Sequence, residues 1–110
     1  MPKREQRRWE RYDVRIEVNV EVVENGKRAT LVGQASDVSK GGLRLFVTRV
    51  FEPGSSITME FVLPYYSNEL VIRGVIRNRE GFTHGVEFIN PTIEQQQTIE
   101  RTCDVLALLR

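Results

Sequence analysis

The chain has 110 residues, of which 40% are hydrophobic and 28% are charged, and its formal net charge at pH 7 is +1. These values are typical of one globular domain, and the small net charge argues against a generic nucleic-acid-binding protein. No apolar run approaches the length of a membrane-spanning helix, and no apolar segment follows the basic N-terminus as in a secretory signal. Cys103 is the single cysteine, which excludes an internal disulfide and indicates a reducing compartment, so we expect a cytoplasmic protein without membrane insertion.

Positive charge is concentrated at the start of the chain. Residues 1–15 hold six basic and three acidic residues, a local charge of +3, whereas the remaining 10 basic and 12 acidic residues give −2. Arg7, Arg8 and Arg11 form the pattern R-R-x-x-R within a stretch that has no apolar periodicity. We therefore expect residues 1–12 to be a flexible N-terminal arm that carries this motif.

Apolar and polar residues then alternate with a period of two. Residues 14–22 predict a half-buried strand, and the Asn25-Gly26 pair that follows is a strong signal for a hairpin turn into a return strand over residues 29–35. Residues 37–42 are small, polar and glycine-rich, which predicts a bend before the next alternating strand over residues 43–47.

The second half of the chain continues the strand pattern. A turn at residues 52–55 precedes a predicted strand over residues 57–63, and residues 64–68 read as a loop. Residues 70–79 and 83–89 predict another hairpin, which closes near Gly81.

A terminal helix follows the last strand. Thr92 and Gln95 have the spacing of a capping box, and apolar residues recur on one helical face at Ile93, Ile99, Cys103 and Leu106. Six short strands and one helix predict a mainly all-β fold, a six-stranded antiparallel β-barrel with a C-terminal α-helix, over residues 13–110 as one domain.

The bend and the arginine cluster carry the chemistry. The bend has the pattern D-x-S-x-x-G, with Asp37, Ser39, Gly41 and Gly42. An arginine fork matches phosphate oxygens and the O6/N7 edge of guanine, and a carboxylate accepts from the amino and imino hydrogens of a base. Serine and glycine offer hydroxyl and backbone donors. Together the two clusters indicate an anionic guanine nucleotide as the ligand.

These two motifs, in this order and about thirty residues apart on an all-β pattern, resemble the PilZ domain family. The segments at residues 74–77 and 84–88 also look like the closing strands of that family, and the resemblance extends from about residue 7 to residue 109. It implies a bacterial receptor for cyclic di-GMP on a six-stranded barrel, with no catalytic residues, metal or cofactor. We further expect ligand binding to shift the arm from a loose to an ordered state and so to pass a signal to a protein partner.

The resemblance also implies roles for individual residues. Arg7 and Arg11 would grip the phosphates and guanine edges of cyclic di-GMP, with Arg8 contributing beside them. Asp37 would contact a guanine. Ser39, Gly41 and Gly42 would supply hydroxyl and backbone contacts, while Trp9 and Glu10 occupy variable positions and receive no role.

Other residues favour structural interpretations. Arg44 and Arg77 lie on strands where they could face the ligand, but solvent-facing strand arginines are common, so we favour an ordinary surface role for both. His84, the single histidine, has no neighbouring metal ligands and is expected to be structural or on the surface. Cys103 is expected to pack in the core, as are three phenylalanines in alternating strands, Phe46, Phe61 and Phe88.

Three alternatives to a nucleotide receptor remain. Some PilZ-like domains act as protein-interaction adaptors that do not bind the nucleotide, but these usually lack the residues found here at Arg7, Arg11, Asp37, Ser39 and Gly42. A barrel that binds single-stranded RNA or DNA would need a basic groove with stacking aromatics along its strands, whereas the basic residues here precede the first strand. An enzyme is the least favoured reading, because no nucleophile–base pair or metal set has a recognisable spacing.

Overall fold

A computed structural model describes residues 9–110, which form six strands and one helix. The alternation seen in the sequence orients one side of each strand inward. The first hairpin turns at Asn25 and Gly26 with φ values of 52° and 75°, the left-handed region that this pair favours. The elements are β1 (Tyr12–Glu24), β2 (Lys27–Val38), β3 (Gly42–Phe46), β4 (Ser56–Phe61), β5 (Leu70–Glu80), β6 (Thr83–Ile89) and α1 (Ile93–Leu108).

The strands close into an antiparallel barrel in the order β1-β2-β3-β6-β5-β4. This confirms the predicted fold class. The barrel interior is filled by inward-facing aliphatic and aromatic residues, including Val18, Leu45, Met59 and Ile76, each with 0% exposure. A closed barrel of this size has its interior occupied by side chains, so a ligand must bind on the outside or at an end.

The helix begins at a capping box, as predicted. The Thr92 hydroxyl accepts a hydrogen bond from the Gln95 backbone N–H at 3.1 Å, and the Gln95 side chain accepts from the Thr92 backbone N–H at 3.0 Å. Ile99 and Cys103 are fully buried, which confirms the core role expected for the cysteine. Within residues 9–110, no helix combines the length and apolar character needed to cross a bilayer.

The helix also contacts the loop between β2 and β3. The Gln96 side-chain amide donates to the Lys40 carbonyl at 3.3 Å, and the Lys40 ammonium lies 3.6 Å from the Asp104 carboxylate. These contacts hold the bend against the helix.

Three expectations about these elements are wrong. The segment 37–42 is not all bend, because β2 continues to Val38, which is fully buried and pairs with Leu43. Phe46 was expected in the core but is 47% exposed, since it shares the outward face of β3 with Arg44. Its ring packs edge-on against Phe82, with 6.3 Å between the ring centroids. Ile93 is 78% exposed because it lies in the first turn, ahead of the part of α1 that packs on the barrel. By contrast, Phe61 and Phe88 are buried as predicted.

Candidate functional site

One open pocket lies on the outer surface of β2, β3, β6 and β5 and has a volume of about 340 Å³. It contains every predicted ligand residue in the part of the chain that the structure describes, whereas the predicted contacts of Arg7 and Arg8 fall outside the described residues. The lining residues are Trp9, Arg11, Asp37, Ser39, Gly41, Gly42, Leu43, Arg44, Arg77, Asn78, Gly85, Val86 and Glu87.

A β-bulge on β2 directs Asp37 into this pocket. Ala35 pairs with Leu45 and faces the core, and strict alternation would make Asp37 face the core as well. The register shifts by one residue between Ala35 and Asp37, so Ser36 is extra and Asp37 pairs with Arg44. The bulge therefore reverses the facing of the strand and exposes a carboxylate on the outer surface.

Asp37 and Arg44 form an ion pair on the pocket wall. The Arg44 Nε–H donates to Asp37 Oδ2 at 3.1 Å, and the two side chains are 41% and 16% exposed respectively. The contact occupies one of the five N–H donors of the guanidinium. The Arg44 guanidinium therefore keeps further N–H donors that a ligand can use.

Ser39 organises the bend between β2 and β3. Its hydroxyl oxygen accepts from the backbone N–H groups of Gly41 and Gly42 at 3.2 and 3.1 Å, and the hydroxyl lies 3.3 Å from the Gly42 carbonyl. The Gly41 carbonyl accepts from the Phe88 N–H at 2.9 Å, which ties the bend to β6. The groups expected to contact a ligand thus bond one another in this structure and fix the bend's shape.

Two glycines form the floor of the pocket. A Cβ on Gly42 would overlap the Val86 carbonyl on β6, and a Cβ on Gly85 would lie 2.5 Å from the Asn78 side-chain oxygen. At Gly42 only glycine allows this close approach, because the neighbouring atom belongs to the backbone. Gly85 instead lies against the side-chain amide of Asn78.

A second bulge builds the opposite wall. Ile76 pairs with Val86 and Asn78 pairs with Gly85, so Arg77 is the extra residue on β5. As a result Arg77 and Asn78 are both exposed in succession and both line the pocket. The Arg77 Nε–H donates to Glu87 Oε1 at 2.5 Å, with the two side chains 54% and 51% exposed.

The segment before β1 closes one side of the site. The Trp9 indole lies against Gly41, and Arg11 also lines the pocket. Arg110, at the end of α1, donates to the Arg11 carbonyl at 3.0 Å and to the Glu10 carboxylate at 3.4 Å. Its guanidinium also lies 4.7 Å from the centre of the Tyr12 ring. The helix end therefore holds the segment that carries Arg11.

Sequence reasoning missed part of this site. Arg44 and Arg77 were expected to be ordinary solvent-facing arginines and Trp9 was given no role, yet all three line the pocket, together with Asn78 and Glu87. The one available signal was the run of polar residues from Arg77 to Glu80, which interrupts the alternation of β5 and marks the bulge.

His84 lies in the core, away from the pocket lining. It has 0% exposure, and its Nε2 accepts a hydrogen bond from the Phe51 N–H at 3.1 Å. The proton of the neutral ring is therefore on Nδ1, which has no partner among residues 9–110. This agrees with the structural role expected from the sequence.

The fold and the pocket together define a small β-barrel domain with an arginine-lined surface site. The sequence model of the PilZ domain matches residues 5–104, and the chain belongs to the PilZ domain family. No curated protein matches the chain by sequence.

Solved structures share this fold at low sequence identity. The PilZ domain of YcgR from Escherichia coli, determined with c-di-GMP, superposes with a TM-score of 0.74 at 14% identity, over 94% of this chain and 92% of that one. MotI (DgrA), the inhibitor of motility from Bacillus subtilis, gives 0.75 at 18% identity over 100% of this chain. The MrkH–c-di-GMP complex from K. pneumonia gives 0.75 at 18% identity over 94% of this chain. This chain spans 58% of the MotI structure and 53% of the MrkH structure.

Proposed function

We propose that this domain is a non-enzymatic receptor for cyclic di-GMP, which binds in the pocket on β2, β3, β6 and β5. The proposal rests on one observation, that residues from both sequence motifs line the same pocket. Two motifs that are far apart in sequence contribute Arg11, on one side, and Asp37, Ser39, Gly41 and Gly42, on the other, to one pocket. Structural neighbours determined with c-di-GMP share the fold.

The chemistry of the pocket suits this ligand. Arg11 supplies a guanidinium for a phosphate, and the Asp37 carboxylate can accept from the imino and amino hydrogens of guanine. Gly42 and Gly85 line the pocket and have no side chains to project towards a base. Receptor action by these groups needs binding and no bond cleavage.

The charges that line the pocket also suit cyclic di-GMP, which is an anion. The described lining contains three arginines and two carboxylates, a net charge of +1. Arg44 contacts the part-buried Asp37, and Arg77 contacts Glu87 in a half-exposed pair that is worth about 0–1 kcal/mol. Each contact between a guanidinium and a phosphate contributes roughly 1.5–3 kcal/mol, so a ligand with two phosphates can displace or share these pairs.

The output of the receptor follows from the contacts of Trp9 and Arg11. Both residues line the pocket, and Arg110 at the end of α1 holds the Arg11 carbonyl. A nucleotide that draws Arg11 inward would alter the contact between this segment and the helix end. We propose that a protein partner reads that change.

Calorimetric titration of cyclic di-GMP into the purified protein tests the proposal. GTP is the control for the cyclic dinucleotide ring, and cyclic di-AMP is the control for the base. Saturable binding is expected only with cyclic di-GMP, and Arg11→Ala and Asp37→Ala should each lose tenfold or more in affinity. Arg73→Ala is the matched control, because Arg73 is exposed on β5 but outside the pocket lining. A folded protein that gives no heat and no thermal shift with cyclic di-GMP would overturn the proposal and favour the adaptor.

A further inference from the structure

Glu87 stands beside the bend that carries the D-x-S-x-x-G motif. It pairs across the sheet with Gly42, and its side chain is 51% exposed and lines the pocket. A Cβ on Gly42 would lie 3.2 Å from the Glu87 Cα, so the two residues are in close contact across the sheet. Glu87 belongs to neither of the two motifs.

The two walls of the pocket have the same construction. On one wall the bulge at Ser36 exposes Asp37, whose carboxylate accepts from Arg44 Nε. On the other wall the bulge at Arg77 brings its Nε–H to the Glu87 carboxylate. Among the described residues, each wall therefore presents a carboxylate in contact with a guanidinium.

The two carboxylates lie on strands that are not adjacent, so they can contact two separate bases. Asp37 lies on β2 and Glu87 on β6, with β3 between them, so two strand spacings of about 4.8 Å separate their strands, roughly 10 Å in all. A cyclic dinucleotide carries its two bases on opposite sides of the ribose–phosphate ring. A carboxylate accepts from the imino and amino hydrogens of guanine, whereas adenine presents a ring nitrogen acceptor at the corresponding position.

We propose that Glu87 is a second base-recognition residue, which selects guanine at one base position while Asp37 contacts the other, and that Arg77 positions its carboxylate. This inference rests on the proposed function and adds the residue that sets the specificity of the second base. Glu87 and Arg77 therefore belong to the ligand site.

The test compares two ligands in the intact protein, cyclic di-GMP and the mixed dinucleotide cyclic GMP–AMP with the same linkages. A glutamine side chain can accept from the adenine amino group and also donate to the adenine ring nitrogen, and a carboxylate has no hydrogen to donate. Glu87→Gln should therefore weaken cyclic di-GMP about tenfold and reduce the preference for cyclic di-GMP over cyclic GMP–AMP by tenfold or more.

Two further variants separate recognition from structure. Glu87→Ala should weaken cyclic di-GMP and reduce its preference over the mixed ligand less than Glu87→Gln does, because alanine removes the guanine contact without adding one to adenine. Arg77→Gln should weaken cyclic di-GMP by several-fold. Arg73→Ala, on the same strand but outside the pocket lining, should change neither affinity. Circular dichroism confirms that each variant is folded.

The outcomes distinguish this inference from the function on which it rests. If wild-type protein binds cyclic di-GMP and Glu87→Gln keeps both the affinity and the preference, the role of Glu87 is refuted while the receptor function stands. A uniform loss of both ligands in Glu87→Gln, with the preference unchanged, also refutes base recognition. If wild-type protein binds neither ligand, the proposed function fails and this inference fails with it.

Discussion

Trp9 lies so close to Gly41 that a Cβ on the glycine would come within 2.6 Å of the indole Cδ1. This contact joins the segment before β1 to the bend after β2, the two parts of the chain that carry the sequence motifs. Trp9 is also the single tryptophan of the sequence, so its fluorescence reports on the pocket alone.

Gly41→Ala should displace the indole while leaving the barrel folded. The added methyl group meets a side chain at the surface, where Trp9 is 46% exposed and can move aside. We expect a red-shifted Trp9 emission and stronger quenching by acrylamide, with a change in unfolding free energy below about 1 kcal/mol.

Gly42→Ala is the matched comparison, because its Cβ would overlap the Val86 carbonyl on the neighbouring strand. Backbone cannot move aside as a surface indole can, so this variant should lose about 1–3 kcal/mol in urea unfolding. Equal stability of the two variants would contradict the close approach of β3 and β6.

Arg110→Ala should loosen the segment that carries Trp9 and Arg11. The substitution removes the hydrogen bonds to the Glu10 carboxylate and the Arg11 carbonyl, together with the contact over the Tyr12 ring. We expect lower Trp9 fluorescence anisotropy and several-fold weaker binding of cyclic di-GMP. Arg101→Ala, an exposed position on the same helix, should leave both unchanged.

His84→Leu should destabilise the barrel. The leucine removes the acceptor for the Phe51 N–H, which is buried, and an unpaired buried donor costs about 1–3 kcal/mol. Urea unfolding measures the loss, and His84→Gln, which can restore an acceptor, should recover part of it. A leucine variant as stable as the wild type would show that this hydrogen bond does not contribute to stability.

Cys103 should make the protein less stable at high pH. Burial raises the pKa of its thiol to about 11 from an ordinary value of 9.0, so between these values the unfolded chain loses a proton that the folded chain keeps. Stability from this group is therefore present below pH 9 and falls by about 2–3 kcal/mol as pH rises towards 11.

The check is to measure unfolding free energy against pH for wild type and Cys103→Ala. The variant begins less stable because it leaves a cavity, but its stability should fall less steeply between pH 9 and 11. If unfolding free energy falls equally steeply with pH in the two proteins, the pKa of the Cys103 thiol is not raised by folding.

The sequence predicted the barrel well because its apolar residues alternate and its turns carry strong signals. Asn25-Gly26 marks the first hairpin, and Thr92 with Gln95 marks the helix start; both occur where expected. These are local features, so each can be read from a few neighbouring residues.

The walls of the pocket were harder to predict, because bulges depend on pairing between strands. The extra residues Ser36 and Arg77 are defined only against partners on β3 and β6, which the sequence of one strand does not contain. The roles of Arg44 and Glu87 at the pocket follow from those registers. Both were visible as charged residues on strands, but nothing local distinguished them from ordinary surface charges.

An NMR titration of isotope-labelled protein with cyclic di-GMP tests the central proposal most directly, because it detects binding and locates it in one experiment. We predict saturable shifts of the Gly41, Gly42 and Gly85 backbone amides, with little change at residues 62–66 on the opposite side, which border a separate surface pocket. Shifts confined to residues 62–66, or no shifts at a large excess of ligand, would contradict a cyclic di-GMP site on this face of the barrel.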